Sequence, residues 1–215
     1  MKRAAAFDFD GTIFETMRIE MDAFNTALSA MGQPVLDEPG VAYFIGMKMP
    51  KVLAELLPGG TTAQRQELDE RILAAEKQAI GRCGRLYAGA GEMLAALHSK
   101  GVDIYICSNG GHEYLMHACA HCGINSLIAH IYHTGNCEGK AHALKEIKSK
   151  YDAVTFAGDR EEDIAAAREA GCTSIACVYG YGGGKDYGAE HAAHDIFELH
   201  QAINRALELS INNLG

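Results

Sequence analysis

Tryptophan is absent from this 215-residue sequence, and positive charge is scarce in it. The 19 lysine and arginine residues face 28 aspartate and glutamate residues, so the formal net charge is −9 at pH 7. A protein that binds nucleic acid by neutralising phosphates needs a basic face, and the platforms on which bases stack are aromatic. The composition therefore predicts that the chain does not bind nucleic acid.

Long apolar runs are also missing, since no window approaches the roughly 18 apolar residues that span a bilayer. The first residues resemble the start of a signal peptide, but Asp8 and Asp10 interrupt them after the short apolar run 4–7. A signal peptide needs about 7–15 apolar residues at this place. The seven cysteines are odd in number, which argues against a disulfide framework. We expect a cytoplasmic protein that does not bind membranes and forms a monomer or a small homo-oligomer.

The residues that are present indicate a folded domain with alternating elements. Hydrophobic residues make up 48% of the chain and charged residues 22%, as in ordinary globular proteins. Short apolar runs predict strands at 4–9, 102–107, 131–133, 154–157 and 174–178. Helical periodicity predicts helices at 17–31, 62–82, 91–100, 112–122, 163–170 and 195–209, with a further helix after Lys140.

This alternation predicts an α/β fold with a doubly wound, mostly parallel sheet, that is, a Rossmann-like core. Residues 15–85 interrupt the alternation directly after the first strand, because their apolar residues recur with helical spacing and no strand is evident among them. We therefore predict a catalytic core formed by residues 1–14 and 86–215, with residues 15–85 inserted as an all-helical cap.

Polar residues collect where the predicted strands end. Ligands of an open parallel sheet bind outside the carboxyl ends of its strands, so we expect one crevice to hold these residues, with Lys140 nearby. Carboxylates raise one another's pKa unless a cation lies among them, and oxygen ligands suit Mg²⁺. Such a set favours phosphoryl transfer, which depends on positioning and charge neutralisation. The residues are Asp8 and Asp10 after the first strand, Ser108 and Asn109 after the second, and Asp159 and Asp163 after the fourth.

Four short motifs lie in order along almost the whole chain: Asp8-Phe9-Asp10-Gly11-Thr12, Ser108-Asn109, Lys140, and Gly158-Asp159-Arg160-Glu161-Glu162-Asp163. Each motif alone occurs often by chance, but four in register on an α/β scaffold form a specific pattern. They resemble the four motifs of the haloacid dehalogenase-like hydrolase superfamily. The helical insert after the first motif is similar to the small cap of its phosphoglycolate phosphatase and phosphomutase branch.

The resemblance implies a catalytic role for three residues. Asp8 would be the nucleophile that forms an aspartyl-phosphate. Asp10 would act as the general acid towards the leaving alcohol and then as the base for water. Lys140 would neutralise charge on Asp8 and on the phosphoryl group.

The resemblance also implies binding roles around these three residues. Thr12, Ser108 and Asn109 would orient the phosphate oxygens and Asp10. The cofactor would be Mg²⁺, bound by Asp8, the backbone carbonyl of Asp10, Asp159 and, directly or through water, Asp163. The substrate would be a small phosphorylated metabolite.

Three functions are consistent with these motifs. The first is a Mg²⁺-dependent phosphatase. The second is a phosphomutase, which usually keeps the second acid but often has Val where this chain has Thr12. The third is a non-catalytic phosphate-binding protein, which the intact motif set disfavours. Phosphate release from a model ester separates the first from the third, and isomerisation without release indicates the second.

Substrate selectivity is predicted to come from the cap. The candidate residues are Glu15, Arg18 and the loop 46–51, in which Lys48 and Lys51 are positively charged. The competing interpretation is that these lysines are solvated surface residues. We expect Arg18 and Lys48 to contact the leaving group of the substrate.

Two further patterns are ambiguous. His117, Cys119, His121 and Cys122 resemble a metal site, but a structural zinc site would need a second pair of ligands, so packing of small residues on one helix face is the favoured interpretation. The glycine-rich loop 180–184 is interpreted as a turn beside the active site rather than a nucleotide cradle.

Overall fold

The computed structural model describes residues 1–209. Its strands are β1 (Arg3–Phe7), β2 (Val102–Cys107), β3 (Ile128–Tyr132), β4 (Ala153–Gly158), β5 (Thr173–Cys177) and β6 (His191–Ala193). Its α-helices are α1 (Met17–Ala30), α2 (Glu38–Phe44), α3 (Met49–Leu56), α4 (Thr62–Cys83), α5 (Ala90–Ser99), α6 (His112–His121), α7 (Lys140–Lys148), α8 (Glu161–Ala170) and α9 (Ile196–Ala206). A short 3₁₀ helix covers Asn125–Leu127. No helix in this part of the chain is both long and apolar enough to cross a membrane.

The strands form one sheet with the order β3-β2-β1-β4-β5-β6, and every neighbouring pair is parallel. Strand β1 lies at the centre, where Phe7 is paired with Ile106 on one side and Ala157 on the other. The strand order reverses at β1, so the residues that follow β1, β2 and β4 meet at the topological switch point.

Both faces of the sheet are covered, and the side chains of each strand alternate between two apolar clusters. Ala5 and Phe7 of β1 face the cluster that includes α5, α6 and α9, whereas Ala4 and Ala6 face α7 and α8. The predicted doubly wound, Rossmann-like α/β fold is therefore confirmed, with an entirely parallel sheet among the described strands.

Helices α1 to α4 pack around an apolar cluster of their own. Phe24 and Leu28 of α1 contact this cluster together with Leu68 and Ile72 of α4. Helix α4 begins with a capping box, in which the Thr61 hydroxyl accepts from the Gln64 amide while the Gln64 side chain accepts from the Thr61 amide. The helical segment of the sequence is thus a four-helix layer with its own core.

Three features of the fold were not predicted. Strand β6 has three residues and lies at the sheet edge, which is too short for an alternation pattern. Helices α2 and α3 have seven and eight residues, and each begins beside a proline that fits the first helical turn. The strand predicted at 131–133 begins earlier, at Ile128.

Candidate active site

Asp8, Lys140 and Asp163 form a buried ion-pair cluster beyond the carboxyl ends of the central strands. The Lys140 Nζ lies 2.8 Å from Asp8 Oδ1 and 2.6 Å from Asp163 Oδ1. Burial alone lowers the pKa of Lys140, but the carboxylates of Asp163 and Asp8 outweigh it and raise that pKa above its ordinary value. Lys140 therefore stays positively charged at neutral pH and balances part of the acidic charge.

Asp159 follows β4 and is fixed by the loop after β5. Its Oδ2 accepts hydrogen bonds from the amides of Tyr181 at 2.7 Å and Gly182 at 3.1 Å. A Cβ at Gly182 would lie 1.8 Å from the Asp159 carbonyl oxygen, so only glycine permits this approach. The prediction that loop 180–184 is a turn beside the acidic residues is confirmed.

The acidic cluster fits a divalent cation. Asp8, Asp159 and Asp163 each place one oxygen within 4.8 Å of the others. Asp8 Oδ2 and Asp159 Oδ1 are buried without a hydrogen-bond partner among the described residues. Burial, followed by the Asp163 carboxylate, raises the pKa of Asp159 to about 7. Orphaned carboxylate oxygens in a buried acidic cluster are expected where a hard cation binds.

Asp10 is held by two hydroxyl groups from different parts of the chain. Its Oδ1 accepts from the Thr16 hydroxyl at 2.7 Å and from the Tyr114 hydroxyl at 2.6 Å. Burial raises the pKa of Asp10, although both hydrogen bonds oppose the shift. A carboxyl group with a raised pKa is suited to give and take a proton near neutral pH.

The helical layer contacts the sheet domain through backbone carbonyls near the site. The Asn109 side-chain amide donates to the Gly46 carbonyl at 3.0 Å, and the Arg160 guanidinium donates to the Ala42 carbonyl at 3.0 Å. At the base of the layer, Glu15 pairs with Arg85. The crevice is therefore covered in this structure.

Two cavities adjoin the site, and they differ in the charged side chains that line them. A small cavity is lined by Lys48, Lys140, Ser108 and Asn109. A larger cavity of about 400 Å³ lies between the helical layer and the sheet domain and is lined by Asp10, Glu20 and Glu76, among others. Asn109 and Thr134 line both cavities, so the two are adjacent.

The other predicted binding residues lie at different places around the site. The Ser108 hydroxyl accepts from the Gly110 amide at 3.0 Å, which orients it at the end of β2. Thr12 is fully buried, and its hydroxyl has no partner among the described residues. Lys48 is beside Ser108 and Lys140. Arg18 is not brought to this place, since it lines a separate surface depression with Glu15 and Tyr181.

The positions of the histidines and cysteines on α6 agree with the packing interpretation. Cys119 is buried in the core, whereas His117 and His121 are exposed on the other side of the helix. Within residues 1–209, the acidic cluster is the group whose ligand atoms converge for a metal.

Sequence reasoning missed several residues that shape the site. Tyr114 and Thr16 hold Asp10, and Glu20 and Glu76 line the larger cavity. A charged residue on the apolar face of a predicted helix is a usable signal, and both glutamates meet it. Glu20 lies three residues after Met17 and four before Phe24 on α1, and Glu76 lies four residues after Ile72 and four before Ile80 on α4. No local signal marks Tyr114.

Comparisons with known proteins agree with this arrangement. A family model described as haloacid dehalogenase-like hydrolase matches residues 5–177. A phosphoglycolate phosphatase from Pectobacterium atrosepticum is 28% identical over 85% of this chain and 83% of its own length. The tyrosine-protein kinase PtkA of Mycobacterium tuberculosis is 27% identical over 82% of this chain and 62% of its own length. A solved structure of a predicted phosphoglycolate phosphatase from Haemophilus somnus superposes with a TM-score of 0.83 at 19% identity, covering 94% of this chain and 97% of that one.

Proposed function

The chain belongs to the haloacid dehalogenase-like hydrolase family and is a phosphoric monoester hydrolase, and we propose that it acts through an aspartyl-phosphate formed on Asp8. Its substrates are small phosphorylated metabolites. The observation that carries this mechanism is the position of Asp8, whose carboxylate is buried beside Lys140 and within reach of Asp159 and Asp163.

The first step transfers the phosphoryl group to the protein. A carboxylate oxygen of Asp8 forms a bond to phosphorus while the bond from phosphorus to the ester oxygen breaks. The proton on Asp10 moves to that ester oxygen, so the leaving group departs as a neutral alcohol. Lys140 and Ser108 line the same small cavity, and in this mechanism they would neutralise and orient the phosphoryl oxygens.

The second step returns the protein to its starting state. Asp10, now ionised, takes a proton from water, whose oxygen attacks phosphorus as the bond to Asp8 breaks. Inorganic phosphate leaves, and Asp10 carries a proton again. The hydrogen bonds from Thr16 and Tyr114 keep the Asp10 carboxyl in one orientation for both transfers.

We further propose that Mg²⁺ is the cofactor. Asp8, Asp159, Asp163 and the backbone carbonyl of Asp10 would hold it, and the bound ion would supply positive charge that draws the phosphate into the acidic crevice. The orphaned oxygens of Asp8 and Asp159 support this assignment. The seven unpaired cysteine thiols support a reducing compartment such as the cytoplasm.

Residues 15–85 are proposed to be a cap on the core formed by residues 1–14 and 86–215. The separate apolar cluster of α1 to α4 supports this division. Two backbone hydrogen bonds pair the two places where the chain crosses between these parts: the Glu15 amide donates to the Arg85 carbonyl on the cap side, and the Tyr87 amide donates to the Ile13 carbonyl on the core side. Such a paired connection is a natural hinge for a lid that excludes water from the site.

Phosphate release from p-nitrophenyl phosphate tests the proposed function. Wild-type protein with Mg²⁺ should turn over this ester, and EDTA should abolish activity until Mg²⁺ is added back. Asp8→Asn should reduce turnover to near background, because an amide does not attack phosphorus. More than a tenth of wild-type turnover in folded Asp8→Asn free of deamidation, or full activity in chelator, would contradict the mechanism. Sugar-phosphate isomerisation without phosphate release would indicate the phosphomutase instead.

A further inference from the structure

The larger cavity carries acidic side chains that the hydrolytic mechanism does not use. Its volume of about 400 Å³ is in the range of small-molecule sites. Glu20 of α1 and Glu76 of α4 line it at 7% and 5% exposure, so each is more than nine-tenths buried. Asp69, also on α4, lines the same cavity.

Glu20 forms a side-chain hydrogen bond with the Glu76 carboxyl, which is another acid and brings no counter-charge. The Glu20 Oε2 is buried, and no donor among the described residues hydrogen-bonds to it. An unpartnered buried carboxylate oxygen costs free energy that a ligand with a matching donor would recover. Burial and the nearby Glu76 carboxyl raise the pKa of Glu20 well above its ordinary value, which is the response of a group that lacks a counter-charge.

The distribution of charge around the two cavities is unequal. Lys48 and Lys140 line the small cavity beside Ser108, where the phosphate would bind. Among the described residues that line the larger cavity, acidic groups include Asp10, Glu20 and Glu76, and no lysine or arginine is present. A substrate that spans both cavities therefore meets lysine side chains at one end and acidic side chains, which a cationic group would favour in their ionised form, at the other.

Apolar side chains of the helical layer surround the two glutamates in the larger cavity. They include Phe24, Phe44, Met47, Met49 and Val52, all from α1 to α3 and the connections between them. These side chains offer no donors to a sugar hydroxyl or to a carboxylate; the polar lining residues Asn109, His112 and Thr134 come from the segments that follow β2 and β3. A compact cationic group on a short hydrocarbon chain fits this lining better than a polyol or an acid.

We propose that the natural substrate is a phosphate ester of an amino alcohol, whose ammonium group binds to Glu20 and Glu76 while its phosphate binds beside Lys140. This inference rests on the proposed phosphatase function and specifies its substrate class. The ammonium donates hydrogen bonds to the glutamate carboxylates, including the orphaned Glu20 Oε2. An ester whose alcohol carries a carboxylate, such as phosphoglycolate, would place a second negative charge among these acids.

Three esters of similar size test the substrate class. 2-Aminoethyl phosphate, propyl phosphate and phosphoglycolate are compared as competitive inhibitors of p-nitrophenyl phosphate hydrolysis by wild-type protein with Mg²⁺. Charge-assisted hydrogen bonds predict an inhibition constant at least about tenfold lower for 2-aminoethyl phosphate than for propyl phosphate. Phosphoglycolate should bind more weakly than 2-aminoethyl phosphate. The proposal is overturned if propyl phosphate or phosphoglycolate binds as tightly as 2-aminoethyl phosphate.

Variants then locate the source of the preference. Glu20→Gln combined with Glu76→Gln should bring the ratio between 2-aminoethyl phosphate and propyl phosphate close to one. Glu70→Gln, an exposed change on the same helix α4, should keep the wild-type ratio. A preference that survives in the double variant would overturn the assignment of these glutamates.

Failure of the phosphatase function is distinguishable from failure of this inference. If wild-type protein does not hydrolyse p-nitrophenyl phosphate, the proposed function fails. Direct calorimetric titration with the same three esters still measures the preference for an ammonium group, and an absent preference there overturns the inference independently.

Discussion

Tyr114 donates a hydrogen bond to Asp10 Oδ1 across 104 positions of sequence, and Thr16 donates to the same oxygen from the start of the helical layer. This pairing leaves the carboxyl in one orientation, facing the larger cavity that Asp10 lines. Tyr114 would act on the substrate through the Asp10 carboxyl, so we assign it as a positioning residue. In the proposed mechanism, Tyr114 would hold the carboxyl of Asp10 at the place where the ester oxygen binds.

Tyr114→Phe should lower kcat by about tenfold, because one of two hydrogen bonds to a charged group is lost. KM should change little, since the phosphate and the leaving group keep their contacts. Tyr105→Phe is the matched control, because its hydroxyl bonds to Tyr151 elsewhere in the molecule. Steady-state kinetics of both variants measure the effects on kcat and on KM separately. An unchanged kcat in Tyr114→Phe would contradict the positioning role.

The Glu76 carboxyl links folding stability to pH. Burial, followed by the carboxylates of Asp10 and Asp69, raises its pKa to about 8, while Lys77 and the hydrogen bond with Glu20 oppose the shift. A raised pKa means that the folded state binds more protons than the unfolded state between about pH 4.5 and 8. The contribution of Glu76 to stability is therefore present below this window and is lost as the pH rises through it.

Glu76→Gln removes this titration and keeps the side-chain shape. Relative to wild type, its free energy of unfolding should increase between pH 5 and pH 8.5, by an amount on the order of 3 kcal/mol. Urea denaturation at both pH values measures the difference. Glu70→Gln, on the exposed face of α4, is the control, and its free energy of unfolding should change with pH as that of wild type does. If the difference in free energy of unfolding between Glu76→Gln and wild type is the same at pH 5 and pH 8.5, the pKa of Glu76 is not raised.

The convergence of the acidic residues was predictable from the sequence, and the contacts that support them were not. Asp8, Asp10, Asp159 and Asp163 follow strands, and the topology of a parallel sheet brings strand ends together. The Tyr114–Asp10 hydrogen bond depends on how α6 packs against the segment after β1, which no local pattern contains. The same is true of Arg18, whose distance from Lys48 depends on the path of α1 to α3.

At the scale of elements, the loop after β5 shapes the acidic cluster through glycine. Gly180 and Gly182 bring the backbone against Asp159, where a Cβ at Gly180 would lie 2.3 Å from the Asp159 Cβ. Two amides of the loop then reach Asp159 Oδ2. The other oxygen of Asp159 stays available for a cation.

Gly182→Ala should raise the Mg²⁺ concentration needed for half-maximal activity by about 10- to 100-fold. The methyl group displaces the loop, and Asp159 loses the amides that orient it. Gly59→Ala, in the loop between α3 and α4, is the control because a Cβ there meets no atom within 4 Å. A Mg²⁺ titration of activity compares the two. Wild-type Mg²⁺ dependence in a folded Gly182→Ala protein would show that the loop does not orient Asp159.

Elements were predictable where the pattern was long enough to define a period. Helices α1 and α4 were predicted within one residue of their bounds because their apolar residues repeat over several turns. Strand β2 was predicted with its observed bounds because a short, mostly buried apolar run ends at polar and glycine residues. Helices α2 and α3 span about two turns each, which leaves too few apolar positions to separate them from loops.

At the scale of the whole molecule, the helical layer contributes to both ends of the proposed substrate site. Lys48, at the start of α3, lines the small cavity with Ser108 and Lys140, whereas Glu20 and Glu76 line the larger one. The sequence alone suggested that Lys48 contacts the leaving group. Its position in the structure favours contact with the phosphoryl group, which every substrate shares.

Lys48→Ala should therefore lower kcat/KM by a similar factor, about tenfold, for p-nitrophenyl phosphate and for 2-aminoethyl phosphate. The reason is that a positive charge beside the phosphate stabilises the transferred group whatever alcohol leaves. Lys51→Ala is the matched control, because Lys51 is exposed and its nearest acidic partner is Glu55 at 4.0 Å on the same helix. Arg18→Ala should leave kcat/KM unchanged for both substrates, since Arg18 lines a different depression.

If Lys48→Ala lowers kcat/KM only for 2-aminoethyl phosphate, Lys48 acts on the leaving group, and the cap then recognises the alcohol from both cavities. If neither substrate is affected, Lys48 is a solvated surface lysine, and the positive charge at the phosphate comes from Lys140 and the bound cation.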